Sequence, residues 1–368
     1  MPAIQSGKVL VTGASGYAGA WLCLALLRQG FSVRGTVRST EKGHYLQQLF
    51  HSQQQQFAKD KFEFVIAEDL EKEGAFDQAV VGVDAVFHSG SPFHYDAKGQ
   101  ALTKLVHPAV NGTKNVLNSI HAHGTSVKRV IIFSSFAAIV EVSKPVPTVF
   151  NEESWNETHA KESAEKGEDQ DPLAAYRASK TLAERAAWGF VEEKKVPWDL
   201  VTVNPPFIFG PPIHDVSGGA EKLNTSLSIF WGLLHGSKSE SDLLAPGGSL
   251  VDVRDVAETH VQALKHGQAG GQRYAPTSGP FTFQDIADAV HGAAQGLVPE
   301  EWKKATPKGK AGKGKEVVQN SLDGSKTAEQ LGIKYKSIPT IVLDTVAALK
   351  DYEERKWKPF PSDKVLAL

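Results

Sequence analysis

Between residue 8 and about residue 204, short runs rich in valine and isoleucine alternate with longer stretches whose apolar residues recur at helical spacing. This alternation is typical of βαβ units, in which crossover helices join the strands of a parallel sheet. Six runs are predicted to be strands: KVLVT (8–12), FSVRGTV (31–37), FEFVIA (62–67), DAVFHS (84–89), RVIIFS (129–134) and DLVTVN (199–204). The pattern predicts the α/β class with a Rossmann-type, doubly wound parallel sheet.

Two of the intervening segments end as helices commonly do. Residues 17–29 are followed by Gly30, and residues 109–123 by Gly124; glycine readily adopts the left-handed conformation that follows a helix. Both segments are expected to pack on the sheet.

Beyond Pro205 the regular alternation is lost. Proline and glycine interrupt the chain, as in NPPFIFGPP, and the helical stretches are scattered. We expect residues 205–248 and 267–368 to form a smaller C-terminal substrate-binding lobe beside a cofactor-binding Rossmann domain of residues 1–204. A short strand and an amphipathic helix over 249–266 are expected to return to that domain.

Composition favours a folded protein that acts on small molecules. The chain is 41% hydrophobic and 22% charged, with a formal net charge of -2, so no global field would gather nucleic acid or an anionic membrane. Cys23 is the only cysteine, which excludes an intrachain disulfide and favours a reducing compartment. We expect a cytoplasmic monomer or homodimer.

No membrane or secretory segment is predicted from the pattern. The N-terminus enters a strand within a few residues, and the longest apolar run, 18–27, is about half of the ~20 residues that a spanning helix needs. The lysine-rich stretch 308–315 is expected to be a flexible solvated loop, with an anion-binding patch as the alternative.

A glycine-rich turn follows the first strand. TGASGYAG places Gly13, Gly16 and Gly19 between a strand and a helix. Residues without a Cβ allow a pyrophosphate to approach the backbone, and the amides at the start of the helix bind its charge. An ordinary turn is the alternative, but the position and the G-x-x-G-x-x-G spacing favour a dinucleotide site.

The end of the second strand bears on the choice of cofactor. An enzyme that prefers NAD would place an acid there for the ribose 2′-hydroxyl, whereas this strand continues into Arg38. A guanidinium can pair with a 2′-phosphate, and Lys42 is a candidate second cation. The sequence therefore predicts NADPH, unless Arg38 is only a surface charge.

Candidate catalytic groups follow the fifth strand. Ser134 and Ser135 stand at its carboxyl end, and Tyr176 and Lys180 lie four residues apart in a predicted helix, so they share a face. Ligands of open α/β sheets bind at the carboxyl ends of the strands. These groups and the glycine turn are therefore expected to face one crevice.

This set of residues suits the reduction of a carbonyl. Hydride transfer leaves charge on the carbonyl oxygen, which must be stabilised and protonated. We expect Tyr176 to donate the proton and Lys180 to lower the pKa of the tyrosine from about 10 and to hold the nicotinamide ribose. A serine would hydrogen-bond the oxygen. The residues alone do not decide between Ser134 and Ser135. No metal is expected.

These motifs, in this order, resemble the extended short-chain dehydrogenases/reductases. The similarity is strongest to the dihydroflavonol-reductase-like group, and within it to the fungal methylglyoxal reductases and ketoreductases. The motifs that carry it are VRGTVRS, HSGSPF, PAVNGTKNVL, NEESWN, YRASKTLAERAAW, NPPFIFGPP, LNTS and VDVRDVA. The resemblance implies an NADPH-dependent aldehyde or ketone reductase that acts on a small-molecule carbonyl substrate.

The resemblance also implies particular site residues. By motif, Ser135 rather than Ser134 matches the catalytic serine. Cofactor contacts are implied at Gly13, Ser15, Gly16, Tyr17, Ala18, Gly19, Arg38, Lys42, Asp69, Leu70, Ser89, Gly90, Ser91, Tyr176, Lys180, Pro205, Ile208 and Ser226. Substrate contacts are implied at Phe93, Phe136, Val140 and Phe207, each of which could instead be core packing. Asn111 resembles a fourth catalytic residue, with a structural role as the alternative.

Several features depart from the family pattern, and two other functions stay open. HSGSP replaces the usual HTASP, Phe133 stands where threonine often precedes the serines, and the acidic stretch 157–171 is longer than in relatives. These departures put the substrate range in doubt. A sugar-nucleotide epimerase or dehydratase uses the same fold, but usually carries an acid where Arg38 stands. A non-catalytic NADP sensor typically lacks the tyrosine or the lysine.

Overall fold

The computed structural model of the chain describes residues 4–51, 59–90 and 97–358. Its strands are β1 (Lys8–Thr12), β2 (Ser32–Val37), β3 (Phe62–Ile66), β4 (Ala85–His88), β5 (Arg129–Phe133), β6 (Val149–Phe150), β7 (Asp199–Val203), β8 (Phe207–Phe209), β9 (Pro246–Asp252), β10 (Arg273–Tyr274), β11 (Gly279–Thr282) and β12 (Ser321–Leu322).

The helices of the same residues are α1 (Tyr17–Arg28), α2 (Thr40–His51), α3 (His107–His123), α4 (Glu157–Lys166), α5 (Pro172–Lys194), α6 (Thr225–Leu234), α7 (Val253–Lys265), α8 (Phe283–Gly292), α9 (Glu300–Ala305), α10 (Ser325–Leu331) and α11 (Ile338–Glu354). A π-helical turn, Leu102–Val106, leads into α3.

A seven-stranded sheet is the centre of the fold. Its strand order is β3-β2-β1-β4-β5-β7-β10, and every neighbouring pair is parallel. This is the doubly wound Rossmann order with one strand added at the edge, which confirms the predicted fold class. All six predicted strands are present to within a residue or two at their ends, whereas β10 was not predicted.

The two faces of the sheet bury different side chains. In β5, Val130 and Ile132 belong to one core with α3, and Ile131 belongs to the opposite core with α1 and α7, because successive strand residues point to opposite faces. All three are at least 96% buried, and each such aliphatic side chain stabilises the fold by roughly 1.5–3 kcal/mol. The continuous valine and isoleucine of these strands thus reflects burial on both faces.

Two small sheets accompany the large one, and all of their strands except β6 come after residue 205. β8, β9 and β11 form one of them, and β6 pairs with β12 in the other. Within the segment 249–266, the helix α7 packs on α1 of the Rossmann layer, while the strand β9 pairs with β8. The domain boundaries given above stay a prediction.

The lysine-rich stretch is held against α8. The amide of Lys310 donates to Gln284 at 2.8 Å, that of Gly312 donates to Asp288 at 2.8 Å, and the Gln284 side chain donates to the Lys308 carbonyl at 2.8 Å. Its backbone is therefore anchored, in contrast to the flexible loop expected from composition. No helix in the described ranges is long and apolar enough to cross a membrane.

Candidate active site

The turn between β1 and α1 leaves room that only glycine permits. Gly13 has a φ of +66°, and a Cβ on it would lie 3.0 Å from the backbone of Gly90. A Cβ on Gly19 would lie 2.4 Å from the carbonyl oxygen of Gly13, so the helix can approach the strand only without a side chain there. Gly16 precedes α1, and no side chain caps this helix. Its first amides therefore remain available to an anion.

A cavity of about 230 Å³ opens at the carboxyl ends of β1, β2 and β4, where the strand order reverses. Eight residues predicted to contact a cofactor line it: Gly13, Ser15, Gly16, Arg38, Lys42, Leu70, Ser89 and Gly90. Asp69, by contrast, lies exposed outside this lining, where its carboxylate accepts the Glu71 amide at 2.8 Å.

Two cations stand on the rim of this cavity. Arg38 and Lys42 are exposed and line it. Within the part of the chain that the structure describes, Arg38 makes no hydrogen bond or ion pair. A guanidinium with five unused donors beside an uncapped helix start is a ready partner for a phosphate.

The turn after β4 is pinned to β1. The Ser89 hydroxyl donates to the Thr12 carbonyl at 2.5 Å, and the Gly90 amide donates to the Thr12 hydroxyl at 3.2 Å. His88 also lies 2.9 Å from that hydroxyl. Burial, helped by the charge of Lys180, lowers the pKa of His88 to about 3, so the imidazole is neutral at physiological pH. These bonds fix Ser89 between two cavities.

The second cavity, of about 740 Å³, adjoins the first at Ser89, which lines both. Its lining includes eleven of the predicted site residues: Tyr17, Ala18, Ser89, Ser135, Phe136, Tyr176, Lys180, Pro205, Phe207, Ile208 and Ser226. The aromatic wall is formed partly by Phe136 and Phe207, whose rings lie 6.2 Å apart. Catalytic candidates and apolar side chains thus line one cavity, as is common at ligand sites.

The two adjacent serines have different surroundings. Ser134 donates its hydroxyl to the buried carboxylate of Glu184 at 2.5 Å. Ser135 instead accepts the Ala137 amide at 3.1 Å, and among the described residues no acceptor takes its proton. Both serines line the cavity, but only the Ser135 hydroxyl has a proton left for a ligand. The geometry therefore favours Ser135, as the resemblance does.

Tyr176 and Lys180 lie on one face of α5, and the lysine Nζ is 5.8 Å from the centre of the tyrosine ring. Burial lowers the pKa of Lys180 to about 8, so the ammonium form still dominates at neutral pH. Leu173, Tyr176, Arg177 and Lys180 all line the cavity. Their spacing of i, i+3, i+4 and i+7 is that of a single helix face; this signal could have identified Leu173 and Arg177 from the sequence.

The acidic stretch 157–171 holds the start of α5. Asp171 accepts the amides of Leu173 and Ala174 at 3.0 Å as the N-cap. Glu168 accepts the amides of Leu102 and Thr103 at 2.9 and 3.3 Å. The stretch therefore ties the helix that carries Tyr176 to the turn before α3, in addition to any influence on substrates.

The remaining predicted residues lie elsewhere. Val140 packs in a cluster with Ile139 and is not part of the cavity lining. Asn111 is exposed and lies 3.5 Å from Glu71, outside both cavities, which fits the structural alternative. Ser91 and Phe93 fall outside the described residues.

The residues at the two cavities fit NADPH. Glycines at positions that a Cβ would fill form a cradle beside an uncapped helix start, and Arg38 with Lys42 supplies charge complementary to a 2′-phosphate. The larger cavity brings Tyr176 and Lys180 next to this cradle through the shared Ser89. The arrangement can therefore hold a dinucleotide that reaches from the cations to the tyrosine.

Comparisons with known proteins agree with this geometry. Residues 9–275 match the model of the NAD dependent epimerase/dehydratase family. The NADPH-dependent methylglyoxal reductase of Saccharomyces cerevisiae is 34% identical over 95% of this chain and 99% of its own length. A ketoreductase of Aspergillus niger is 35% identical over 93% and 97%, respectively. These similarities extend over nearly the whole chain.

A solved structure shows the same likeness in three dimensions. The crystal structure of a yeast methylglyoxal/isovaleraldehyde reductase complexed with NADPH superimposes with a TM-score of 0.81 at 33% identity, covering 95% of this chain and 99% of that one. An NAD complex of a UDP-glucuronic acid 4-epimerase from Bacillus cereus is 18% identical with a TM-score of 0.67, and shares the fold.

Proposed function

We propose that this chain, which belongs to the NAD dependent epimerase/dehydratase family of extended short-chain dehydrogenases, is an NADPH-dependent reductase of aldehydes and ketones. The observation that carries the proposal is the shared lining of one cavity. Tyr176, Lys180 and Ser135 all border it, and it adjoins a second cavity with Arg38 on its rim. The relatives named for NADPH and for carbonyl reduction support the same activity.

The catalytic groups act together on the carbonyl oxygen. Ser135 donates a hydrogen bond to it, because a carbonyl oxygen can only accept and the Ser135 hydroxyl, held by the Ala137 amide, still has its proton to give. Tyr176 donates a proton as charge develops on the oxygen. The ammonium of Lys180, still charged at neutral pH because its pKa is about 8, stabilises the phenolate that remains.

The cofactor is held by residues of the first cavity. Gly13, Gly16 and the first amides of α1 bind the pyrophosphate, while Arg38 and Lys42 bind the 2′-phosphate. When bound, NADPH supplies the hydride. Ser89, fixed by its bond to the Thr12 carbonyl, keeps the turn between the two cavities in place.

We further propose that the protein acts in the cytoplasm as a monomer or homodimer. Its one cysteine, Cys23, is fully buried, and burial raises the pKa of its thiol. Such a thiol is unreactive and suits a protein that depends on no disulfide.

The test is a panel of aldehydes, ketones, ketoesters and a dihydroflavonol, followed by nicotinamide absorbance with NADPH and with NADH. We expect NADPH-dependent turnover that Tyr176→Phe lowers by at least about 100-fold, while the dissociation constant for NADPH stays within about twofold. Tyr335→Phe, which removes a hydroxyl that donates to the Gly324 carbonyl and lines neither cavity, is the matched control.

Three results would contradict the proposal. The first is full turnover in Tyr176→Phe. The second is interconversion of a sugar nucleotide without net use of NADPH, which would favour the epimerase function. NADPH binding with no turnover anywhere in the panel would favour the sensor.

A further inference from the structure

A buried carboxylate lies directly behind the catalytic strand end. Glu184 stands one helical turn after Lys180 on α5 and is 99% buried. A carboxylate in such a place is stable only when its oxygens are well satisfied. The groups that satisfy them come from the residue after β5, from β7 and the residue after it, from β10, and from Trp188 on α5 itself.

One carboxylate oxygen of Glu184 accepts hydrogen bonds from groups beside the two serines. Glu184 Oε2 accepts the Ser134 hydroxyl at 2.5 Å and the Asn204 side-chain amide at 2.6 Å. The same amide nitrogen of Asn204 donates to the backbone carbonyl of Ser135 at 3.2 Å. Glu184 Oε2 thus accepts the proton of the Ser134 hydroxyl. Through Asn204, the same oxygen also holds the backbone of Ser135 in place.

The other oxygen is bonded away from the serines. Glu184 Oε1 accepts from Arg273 Nε at 2.6 Å and from the Trp188 indole at 3.4 Å. The Thr202 hydroxyl lies 3.0 Å from this oxygen and 3.1 Å from Asn204 Oδ1. The guanidinium of Arg273 neutralises the buried charge. The two oxygens therefore have different roles: Oε2 bonds groups beside the two serines, and Oε1 bonds groups of the protein core.

We infer that Glu184 is a positioning residue that makes Ser135, and not Ser134, the serine that serves the substrate. It does so by occupying the Ser134 hydroxyl and by holding Asn204 against the Ser135 carbonyl. Without the acceptor at Oε2, the Ser134 hydroxyl is released into the cavity that it lines, and the Ser135 backbone loses a tether. The inference rests on the proposed function, since it presumes that Ser135 is catalytic.

Glu184→Gln tests this with little change of shape. The amide oxygen can keep Arg273, but the amide nitrogen no longer accepts the Ser134 proton and it repels the Asn204 amide. We expect kcat to fall by roughly 10- to 100-fold, as displacement of a catalytic group commonly causes, with the dissociation constant for NADPH within about twofold. In a Ser135→Ala background the same change should lower kcat by less than about twofold.

This double-mutant comparison separates positioning from general damage. If Glu184 acts through Ser135, its effect disappears once the serine is gone. If the losses multiply in the double variant, or if Glu184→Gln keeps the wild-type kcat, the inference is overturned. If instead Ser135→Ala keeps the wild-type kcat, the proposed catalytic site has failed, whatever Glu184 does.

Two further variants guard against misfolding. Trp188→Phe removes the indole donor that lies 3.4 Å from Glu184 Oε1, so we expect a lower melting temperature with unchanged kcat; a loss of kcat equal to that of Glu184→Gln would contradict the inference. Asn204→Ala breaks the link to Ser135 while the ion pair with Arg273 remains. If Glu184→Gln does not fold, Asn204→Ala should show the same loss of kcat and the same dependence on Ser135, and independence from Ser135 would overturn the inference.

Discussion

The Nζ of Lys180 lies 5.8 Å from the centre of the Tyr176 ring, one turn along the same face of α5. This position costs stability, because burial lowers the pKa of the lysine to about 8 from about 10.4 in an unfolded chain. Between these values the unfolded chain binds more protons, so the stability of the fold rises with pH there. Below pH 8 the full cost of burying the charge is present.

Lys180→Met should therefore stabilise the protein while abolishing turnover. We expect the free energy of unfolding at pH 7 to rise by roughly 1–2 kcal/mol, less than the shift alone would give because the side chain keeps some exposure. The gain should shrink as the pH rises from 8 to 10. Urea unfolding at pH 6, 7, 9 and 10 measures it; a variant no more stable than wild type at pH 7 would contradict the assignment of this cost.

The two serines should differ in what removal of their hydroxyls does to kcat. Ser135→Ala should lower kcat by about 100-fold, comparable to the loss of an oxyanion donor, and should cost about 0.5–2 kcal/mol of stability because the Ala137 amide loses its acceptor. Ser134→Ala takes a donor from the buried carboxylate of Glu184 and should cost about 1–3 kcal/mol of stability while kcat stays within a few-fold. Steady-state kinetics and thermal unfolding of both variants decide between them, and a reversed pattern would make Ser134 the catalytic serine.

Arg38 should set the cofactor preference. Arg38→Asp removes a charge-assisted contact worth roughly 1.5–3 kcal/mol and places a carboxylate where a ribose hydroxyl would bind. We expect KM for NADPH to rise by 10- to 100-fold and KM for NADH to fall. Lys144→Asp makes the same charge reversal at an exposed loop position and should leave both constants unchanged. An unaltered preference in Arg38→Asp would remove this residue from the site.

The glycine turn allows a comparison of two Gly-to-Ala changes inside helices. Gly19→Ala places a Cβ 2.4 Å from the Gly13 carbonyl oxygen, so we expect weaker NADPH binding, by 10-fold or more, and a lower melting temperature. Gly189→Ala on α5 has no atom within 4 Å of the new Cβ and should stabilise the protein by about 0.5–1 kcal/mol. Calorimetry and NADPH titration test both. Equal effects would show that crowding at the turn is not what requires Gly19.

The local pattern of apolar residues is sufficient to predict most strands of the large sheet. The valine and isoleucine runs identified six strands of the large sheet because those strands are buried on both faces. β10 was missed because its two residues, Arg273 and Tyr274, offer no such run; pairing with β7 makes them a strand.

The site residues fall into the same two groups: those that follow from local spacing and those that depend on contacts distant in sequence. Gly13, Arg38 and the Tyr176–Lys180 pair follow from spacing within single elements. The difference between Ser134 and Ser135 depends on Glu184, 50 positions beyond Ser134, and no spacing rule relates them. The resemblance alone implies Val140 and Asp69 as contacts. In the structure Val140 packs against a hydrophobic cluster and Asp69 accepts the Glu71 amide, so their contact with ligand stays a prediction. Short motifs give neighbours in sequence, not the direction of a side chain.

The ion pair between Glu184 and Arg273 determines how much of the chain is needed for the site to fold. A polypeptide ending at residue 204 would already contain Ser135, Tyr176, Lys180 and the glycine turn. It would also contain the buried carboxylate without its guanidinium, since Arg273 comes 89 positions after Glu184. Residues 1–204 are therefore not a separable module: during synthesis, the charge of Glu184 is balanced only after residues 205–272 have been made and Arg273 has paired with β7 at the edge of the sheet.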